Sequence, residues 1–399
     1  MRFLTSDIIF TGSDPVNGGV LVIDDSGRIV EILEAEPAAY TLEHLEYYKG
    51  FLCPAFVNTH CHLELSWAEG LVSEGKGLHQ FLIDLDALRR QQDAESVEDA
   101  IFREGDQLLR TGTVAVADIS NTLSTAKFKE TSTILFHTFA EVFASDPSRA
   151  GLAFEKVAEL AQGFRSMRRN NRVSITPHAT YSLSEELFRL IAAETRRNNS
   201  LVSIHHQETE EENLYFRNGS GLIAERRKFF NPGIAPFQPT AKSPLESIAA
   251  FFDKSQSMLL VHNTLSREQD ISFGENYFER ISWCFCPNAN LYIEGKVPDI
   301  PLFRRKGCHI TLGTDSLASN YSLSLLEEIK TISRFFPEIP LCEMLDWATK
   351  NGAELLGFGQ LGTFEKNKRP GVVLIENVDS EKPCLKDSSC SSLLIPHGL

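Results

Sequence analysis

Ala55-Phe56-Val57-Asn58-Thr59-His60-Cys61-His62 reads as one β-strand with two unlike faces. Side chains alternate along a strand, so Asn58, His60 and His62 share one face. Val57 and Cys61 take the other, suited to packing under helices. The same pattern recurs outward from this stretch. In 172–179, RVSITPHA, Ser174, Thr176 and His178 alternate with Val173, Ile175 and Pro177. In 201–208, LVSIHHQE, Ser203 and His205 oppose Val202 and Ile204. In 309–316, HITLGTDS, Thr311, Gly313 and Asp315 alternate with Ile310, Leu312 and Thr314. With 113–120, 134–142, 258–264 and 281–288 there are eight strand candidates, each followed by polar or amphipathic sequence. Eight βα units over this length predict a (β/α)8 TIM barrel across 54–355, with a doubly wound sheet as the alternative. The four strands quoted in full end in His or Asp at their C-terminal ends, where barrel active sites are built.

The flanks have a different character. Residues 1–53 read as short strands rich in Ile, Val and Phe, with a hairpin turn at Asp25-Ser26-Gly27. After the last helix-like stretch, GVVLIENV and CSSLLIP return to strand character. The expectation is a composite β-sandwich domain made from 1–53 and 356–399. Between about 209 and 243 lies a Gly- and Pro-bearing stretch too long for an ordinary barrel loop; such loops are usually functional or mobile.

Composition sets outer limits. The chain has 399 residues, 42% hydrophobic and 23% charged, enough apolar content for a packed core. A formal net charge of −15 argues against a nucleic-acid-binding surface and against docking on anionic lipid. The N-terminal run is broken by Asp7 and lacks a signal-peptide core, and no stretch approaches the ~20 apolar residues of a spanning helix. A cytoplasmic protein is expected. The eight cysteines form no metal-ribbon spacing and read as reduced and structural.

Two imidazoles at i and i+2 on one strand can bind one metal ion together. A third His and an Asp from other strands would complete a set suited to Zn²⁺, or to Fe²⁺ with wider coordination. Such an ion lowers the pKa of a bound water and makes hydroxide available. The blocks AFVNTHCHLELSW, IHHQETEEE, LLVHNT and LGTDSLASN, with 348–378 as the return into the second domain, together resemble the amidohydrolase superfamily, in its aminohydrolase and chlorohydrolase branch. The resemblance implies His60, His62, His205 and Asp315 as metal ligands, and Glu208 as the proton shuttle through an H-x-x-E spacing from His205. Adjacent His206 competes for the third position, but alternation places His205 on the Ser203 face. Glu208, Asp315 and His262 are the implied catalytic groups, His262 polarising the substrate. Glu208 cannot share the His205 face on a straight strand, so the chain must already have turned over the barrel mouth there. The fourth strand carries no Lys at its end, which favours one metal ion over a bridged pair.

The substrate contacts expected are Glu64, Trp67, Glu141 and His178. His44, His79, His137, His309 and His397 read as structural or surface residues. Arg217, Arg226 and Arg227 in the long insertion would meet an anionic tail or form a solvated patch. The predicted reaction is hydrolytic deamination of an amino-substituted nitrogen heterocycle. The run His60-Cys61-His62-Leu63-Glu64-Leu65-Ser66 resembles that of aminodeoxyfutalosine deaminases, which act on an adenine-bearing nucleoside. Chlorohydrolase or cyclic amide hydrolase chemistry, as in imidazolonepropionase, is the alternative. A barrel kept as a non-enzymatic subunit would have lost a ligand or Glu208, and none is lost. A homodimer is what the resemblance suggests. One departure is Gly371-Val372-Val373, where the family commonly shows an Ala-Asp pair.

Overall fold

The computed structural model describes residues 1–33, 44–167, 172–379 and 383–398. Part of the expected N-terminal segment, 34–43, therefore lies outside the described residues. The Ile- and Val-rich start of the chain forms β1 (Arg2–Phe10), β2 (Pro15–Asn17), β3 (Val20–Ile23), β4 (Ile29–Leu33) and β5 (Leu45–Pro54). β3 and β4 pair antiparallel across the Asp25-Ser26-Gly27 turn, where Gly27 takes φ 75° and donates its N–H to the Asp24 carbonyl. One residue after β5 the chain enters the strand that holds the two histidines.

All eight apolar runs of the central region are strands: β6 (Phe56–Cys61), β7 (Thr113–Ser120), β8 (Leu135–Val142), β9 (Arg172–Pro177), β10 (Val202–His206), β11 (Ser257–His262), β12 (Arg280–Phe285) and β13 (Ile310–Leu312). Helices intervene between successive strands, and the strands pair in parallel as two four-stranded sheets, β6-β7-β8-β9 and β10-β11-β12-β13. Near-continuous burial of these strands follows from helices covering a parallel sheet. The two sheets touch at both ends. Between β9 and β10 the His205 N–H reaches the His178 carbonyl at 3.0 Å, and Thr176 Oγ1 accepts from the Ser203 N–H at 2.9 Å. Between β6 and the end of β13 the Thr314 and Asp315 N–H groups share the His60 carbonyl at 2.9 and 3.1 Å.

The chain returns as β14 (Val372–Glu376) and β15 (Cys390–Ile395), and both chain ends join one seven-stranded sheet, β15-β14-β5-β1-β3-β4 with β2 on β1. Period-2 alternation divides this sheet between two cores. Leu4, Ile9, Leu52, Val372 and Leu374 form a separate apolar cluster, whereas Ile8, Phe10, Phe51, Cys53, Val373 and Ile375 join the main core under the parallel strands. Val372 and Val373 thus fill two different cores. Gly50, at φ 127°, lies where an added Cβ would stand 2.2 Å from the Ile375 carbonyl oxygen, so β14 can approach β5 only over a glycine.

The stretch 209–243, read from sequence as a long loop, contains two helices, Glu210–Asn218 and Leu222–Phe230. Gly219, at φ 72°, ends the first by donating to the Tyr215 carbonyl, and Gly221 at φ 90° precedes the second. Glu210, Glu211 and Glu212 sit in the first turn, where the helix dipole favours negative charge. Among the described residues no helix is long and apolar enough to cross a membrane.

Candidate metal centre

The site lies at the C-terminal ends of β6, β10, β11 and β13, and the backbone there is unusual. Gln207, His262, Asn263 and Asp315 all adopt positive φ (44°, 75°, 54° and 56°). Non-glycine residues accept this conformation only where the surroundings impose it, and such residues concentrate at functional sites. Gln207 turns the chain just beyond His206, so Glu208 leaves the strand direction. β13 ends at Leu312, so the direction of Asp315 is set by a left-handed turn and not by the strand pleat.

His60, His62, His205 and Asp315 each offer one ligand atom, and these atoms all lie within 4.8 Å of one another. Nε2 of His60 and of His62 stand 3.5 and 3.4 Å from Asp315 Oδ1, and His62 Nε2 is 3.3 Å from His205 Nε2. The second atom of Asp315 and of His205 is tied elsewhere. Ser319 Oγ donates to Asp315 Oδ2 at 2.6 Å. His205 Nδ1 stands 2.6 Å from the His178 carbonyl. A carbonyl only accepts, so Nδ1 carries the proton and Nε2 keeps its lone pair for a ligand. Burial holds the His60, His62 and His262 imidazoles well below their ordinary pKa, hence neutral. Burial pushes the Asp315 carboxyl upward, while the Ser319 hydroxyl that donates to it favours the ionised form. Both ring nitrogens of His60 are buried without a hydrogen-bond partner. Orphaned buried polar atoms are rare. Three neutral imidazoles and one carboxylate with lone pairs converging are the donor set of a divalent cation, so these residues fit one.

Glu208 and His262 flank the set, with Glu208 Oε1 3.8 Å from His262 Nε2. Burial, then Asp315, Glu294 and Glu212, push the Glu208 carboxyl well above the carboxylate range. Its backbone N–H donates to Glu212 Oε2 at 3.3 Å, and Thr180 Oγ1 donates to Glu212 Oε1 at 2.6 Å. On the far side, His262 Nδ1 stands 3.4 Å from Asn290 Nδ2. A cavity of about 810 Å³ opens over these groups, lined by His62, His178, Glu141, Glu208, His262 and Asp315 among others.

The structure brings His178 and Glu141 to the cavity wall. Burial, then Arg89 and Arg226, push the His178 imidazole down to about 4. Glu141 Oε2 accepts from Asn121 Nδ2 at 3.0 Å, while the buried Oε1 has no partner and lies 3.6 Å from His205 Nδ1. Glu64 and Trp67 are not among the lining residues. Glu64 Oε2 is taken up by the N–H groups of Asn121 and Thr122, at 3.1 Å each, and by the Thr122 hydroxyl. Trp67 packs beside an apolar cluster of Leu65, Val72, Leu78 and Phe81. His206 turns away from the donor set and stands 2.9 Å from Asn263 Oδ1. Arg226 and Arg227 line the outer cavity and Arg217 does not; His79, read as structural or surface, lines it as well.

Several residues here went unread in the sequence. Asn121, Ser319 and Asn290 hold neighbours in place, and Tyr181 and Phe143 line the cavity. The available signal was position, since each follows the end of a strand by a few residues.

The Amidohydrolase family model matches residues 51–391. The chain is similar to an adenosine deaminase of Helicobacter pylori, 26% identical over 365 residues that cover 87% of this chain and 86% of that protein. It is also similar to an aminodeoxyfutalosine deaminase of Nitratiruptor sp., 26% identical over 368 residues, 90% of this chain and 87% of the relative. The crystal structure of H. pylori aminofutalosine deaminase with methylthio-coformycin superposes with a TM-score of 0.81 at 23% identity, covering 96% of this chain and 94% of that one.

Proposed function

The chain belongs to the amidohydrolase family, and on that premise we propose that it is a metal-dependent hydrolytic deaminase of an amino-substituted nitrogen heterocycle. Within that class we assign an adenine nucleoside derivative such as aminodeoxyfutalosine, supported by the relatives of that activity and by the HLELS run. We read the two parallel sheets as halves of one (β/α)8 barrel over 54–355, with 1–53 and 356–399 as a composite β-sandwich domain beside it. The hydrogen bonds at both sheet junctions support the barrel, and the shared seven-stranded sheet supports the composite domain.

His60, His62, His205 and Asp315 would hold one divalent ion, zinc matching three nitrogens and one oxygen better than iron. When bound, such an ion supplies activated water as a nucleophile at neutral pH. The chain does the rest. Water adds to the ring carbon that bears the amino group, and its proton passes to the Asp315 carboxylate. Glu208, whose carboxyl burial biases toward the protonated form, delivers its proton to the ring nitrogen. The proton on Asp315 then goes to the amine, which departs as ammonia while the proton left on the added hydroxyl passes back to Glu208 and the ring carbonyl forms. His262, neutral and held beside Glu208, steadies the charge that develops on the tetrahedral carbon's oxygen. General acid help of this kind is typically worth about 10²–10⁴-fold. His178 and Glu141 contact the substrate from the cavity wall.

The observation that carries this reading is the orphaned His60 ring inside a converging donor set, beside a carboxyl that burial pushes well above the carboxylate range. The test is ammonia release across a panel of adenine nucleosides, purines, pterins and pyrimidines, with metal analysis of the same protein. About one divalent ion per chain and ammonia from adenine nucleosides are expected. Glu208→Gln should keep the metal and lose roughly 10²–10⁴-fold in turnover. Chloride release, ring opening without ammonia, or a folded protein that takes up no metal would overturn it.

A further inference from the structure

Lys129 and Asp118 form an ion pair of 2.6 Å with side chains 1% and 0% exposed, behind the donor set and outside the cavity. Asp118 stands on β7; Lys129 comes from the short helix Ala126–Thr131. The ammonium also donates to Ser120 Oγ at 3.2 Å and Thr138 Oγ1 at 2.9 Å, and it lies over the rings of Phe136 and Phe164. Taking two charges fully out of water is expensive, and a well-packed apolar pair would often serve stability as well or better. Stability therefore does not account for the pair.

The remaining oxygen of Asp118 does. Its Oδ1 accepts from the Leu63 N–H at 2.9 Å. Leu63 directly follows His62 and opens the 3₁₀ turn Leu63–Ala68, whose own preceding residue supplies no cap. The carboxylate on β7 thus caps the turn that follows β6. Glu64, in that turn, reaches back and caps the chain leaving β7 through the Asn121 and Thr122 N–H groups. The two carboxylates make a reciprocal clasp between neighbouring strand exits. Lys129, with the Ser120 hydroxyl donating at 3.0 Å, holds Asp118 Oδ2, and so leaves Oδ1 aimed at Leu63.

We propose that Asp118, locked by Lys129, is a positioning residue that fixes the exit of β6 and with it the orientation of His62 in the donor set. The proposal rests on the metal reading above. β6 needs such a fixture because its pairing with β7 is irregular, shifting register between Phe56 and Val57 and again between Asn58 and Cys61. On its other edge the exit of β6 is bonded to the end of β13, the His62 N–H reaching the Asp315 carbonyl at 3.3 Å, so the β7 side is where a fixture is missing, and ligand orientation depends on partners of this outer kind.

Two double variants separate positioning from packing. Asp118→Asn/Lys129→Met removes both charges but keeps an oxygen for Leu63 N–H, while the thioether chain fills the space under Phe136 and Phe164. Asp118→Leu/Lys129→Met removes the acceptor too. Each is loaded with Co²⁺, and its ion affinity is measured by chelator competition with the visible absorption spectrum alongside, and the melting temperature of the metal-free form as control. The Asn double should bind at least ten-fold more tightly than the Leu double and give the wild-type spectrum, with the Leu double altered in spectrum. Equal affinity and equal spectra in the two doubles, or loss in the Asn double as large as in the Leu double, would overturn the proposal. If the Leu double does not fold, Asp118→Ser/Lys129→Met, whose hydroxyl is too short to reach Leu63, takes its place. Wild-type protein that binds no Co²⁺ would instead strike the metal reading itself.

Discussion

Burial decides the protonation of nearly every side chain around the candidate centre, and it acts oppositely on acids and bases. It lowers the imidazoles, in line with the proposed ligand role, and raises the Glu208 carboxyl, in line with the proposed acid role. Glu212 shows the cost. Burial raises its carboxyl from 4.5 to about 7, against the Thr180 hydroxyl and the backbone N–H groups that lower it. The native state then holds a proton that the unfolded chain has released, so stability falls as pH rises from about 4.5 to about 7 and stays lost above that. Glu212→Gln can still accept from the Glu208 N–H and donate to Thr180. It should be more stable than wild type at pH 8 by up to about 3 kcal/mol, with the gap closing below pH 4.5. Urea unfolding at pH 4 and pH 8 checks this, and a Gln variant no more stable at pH 8 would contradict it. At this scale the sequence was legible where strand alternation applied, which separated His205 from His206. Alternation said nothing about Glu64, because beyond His62 the chain is no longer a strand and the carboxylate finds backbone donors at Asn121 and Thr122, just past the end of β7.

Elements were readable where one period dominated. All eight parallel strands were evident because buried strands are short apolar runs bounded by polar sequence. The helices of 209–243 were hidden, since each is only nine residues long and they are separated by Gly219, Ser220 and Gly221. These helices stand over the cavity and are tied to the rest of the chain by few polar contacts. Arg226 Nη2 donates to Asp86 Oδ2 at 2.9 Å, and Asn231 Nδ2 to Ser145 Oγ at 3.1 Å. A partly exposed ion pair contributes little to global stability, typically ~0–1 kcal/mol. Asp86→Ala should therefore leave the melting temperature nearly unchanged while loosening the second helix locally. Tryptic cleavage after Arg226 or Arg227 should become roughly two- to five-fold faster, as expected for a local opening that costs up to ~1 kcal/mol less. An unchanged cleavage rate would show that the Arg226 contact does not hold this element down.

At the scale of the whole molecule the proposed ligands are distributed so that one ion would join both parallel sheets. His60 and His62 come from the first sheet, His205 from β10 in the second, and Asp315 follows β13 at its far edge. A ligand bound only by the native state stabilises it by about 4 kcal/mol at a thousand times its dissociation constant. Chelation should lower the melting temperature by on the order of 5–10 °C and zinc should restore it. No shift on removal and return of metal would mean that the ion does not bridge the sheets. The sequence by itself determined the strands, their order and the histidines at their ends, because apolar period and side-chain alternation are local properties of the chain. Only the tertiary structure decided which nitrogen of His205 is free, how a left-handed turn aims Asp315, that Glu64 caps a neighbouring turn, and that Val372 and Val373 fill different cores. Those outcomes depend on hydrogen-bond partners and packing surfaces far away along the chain, which no local pattern encodes.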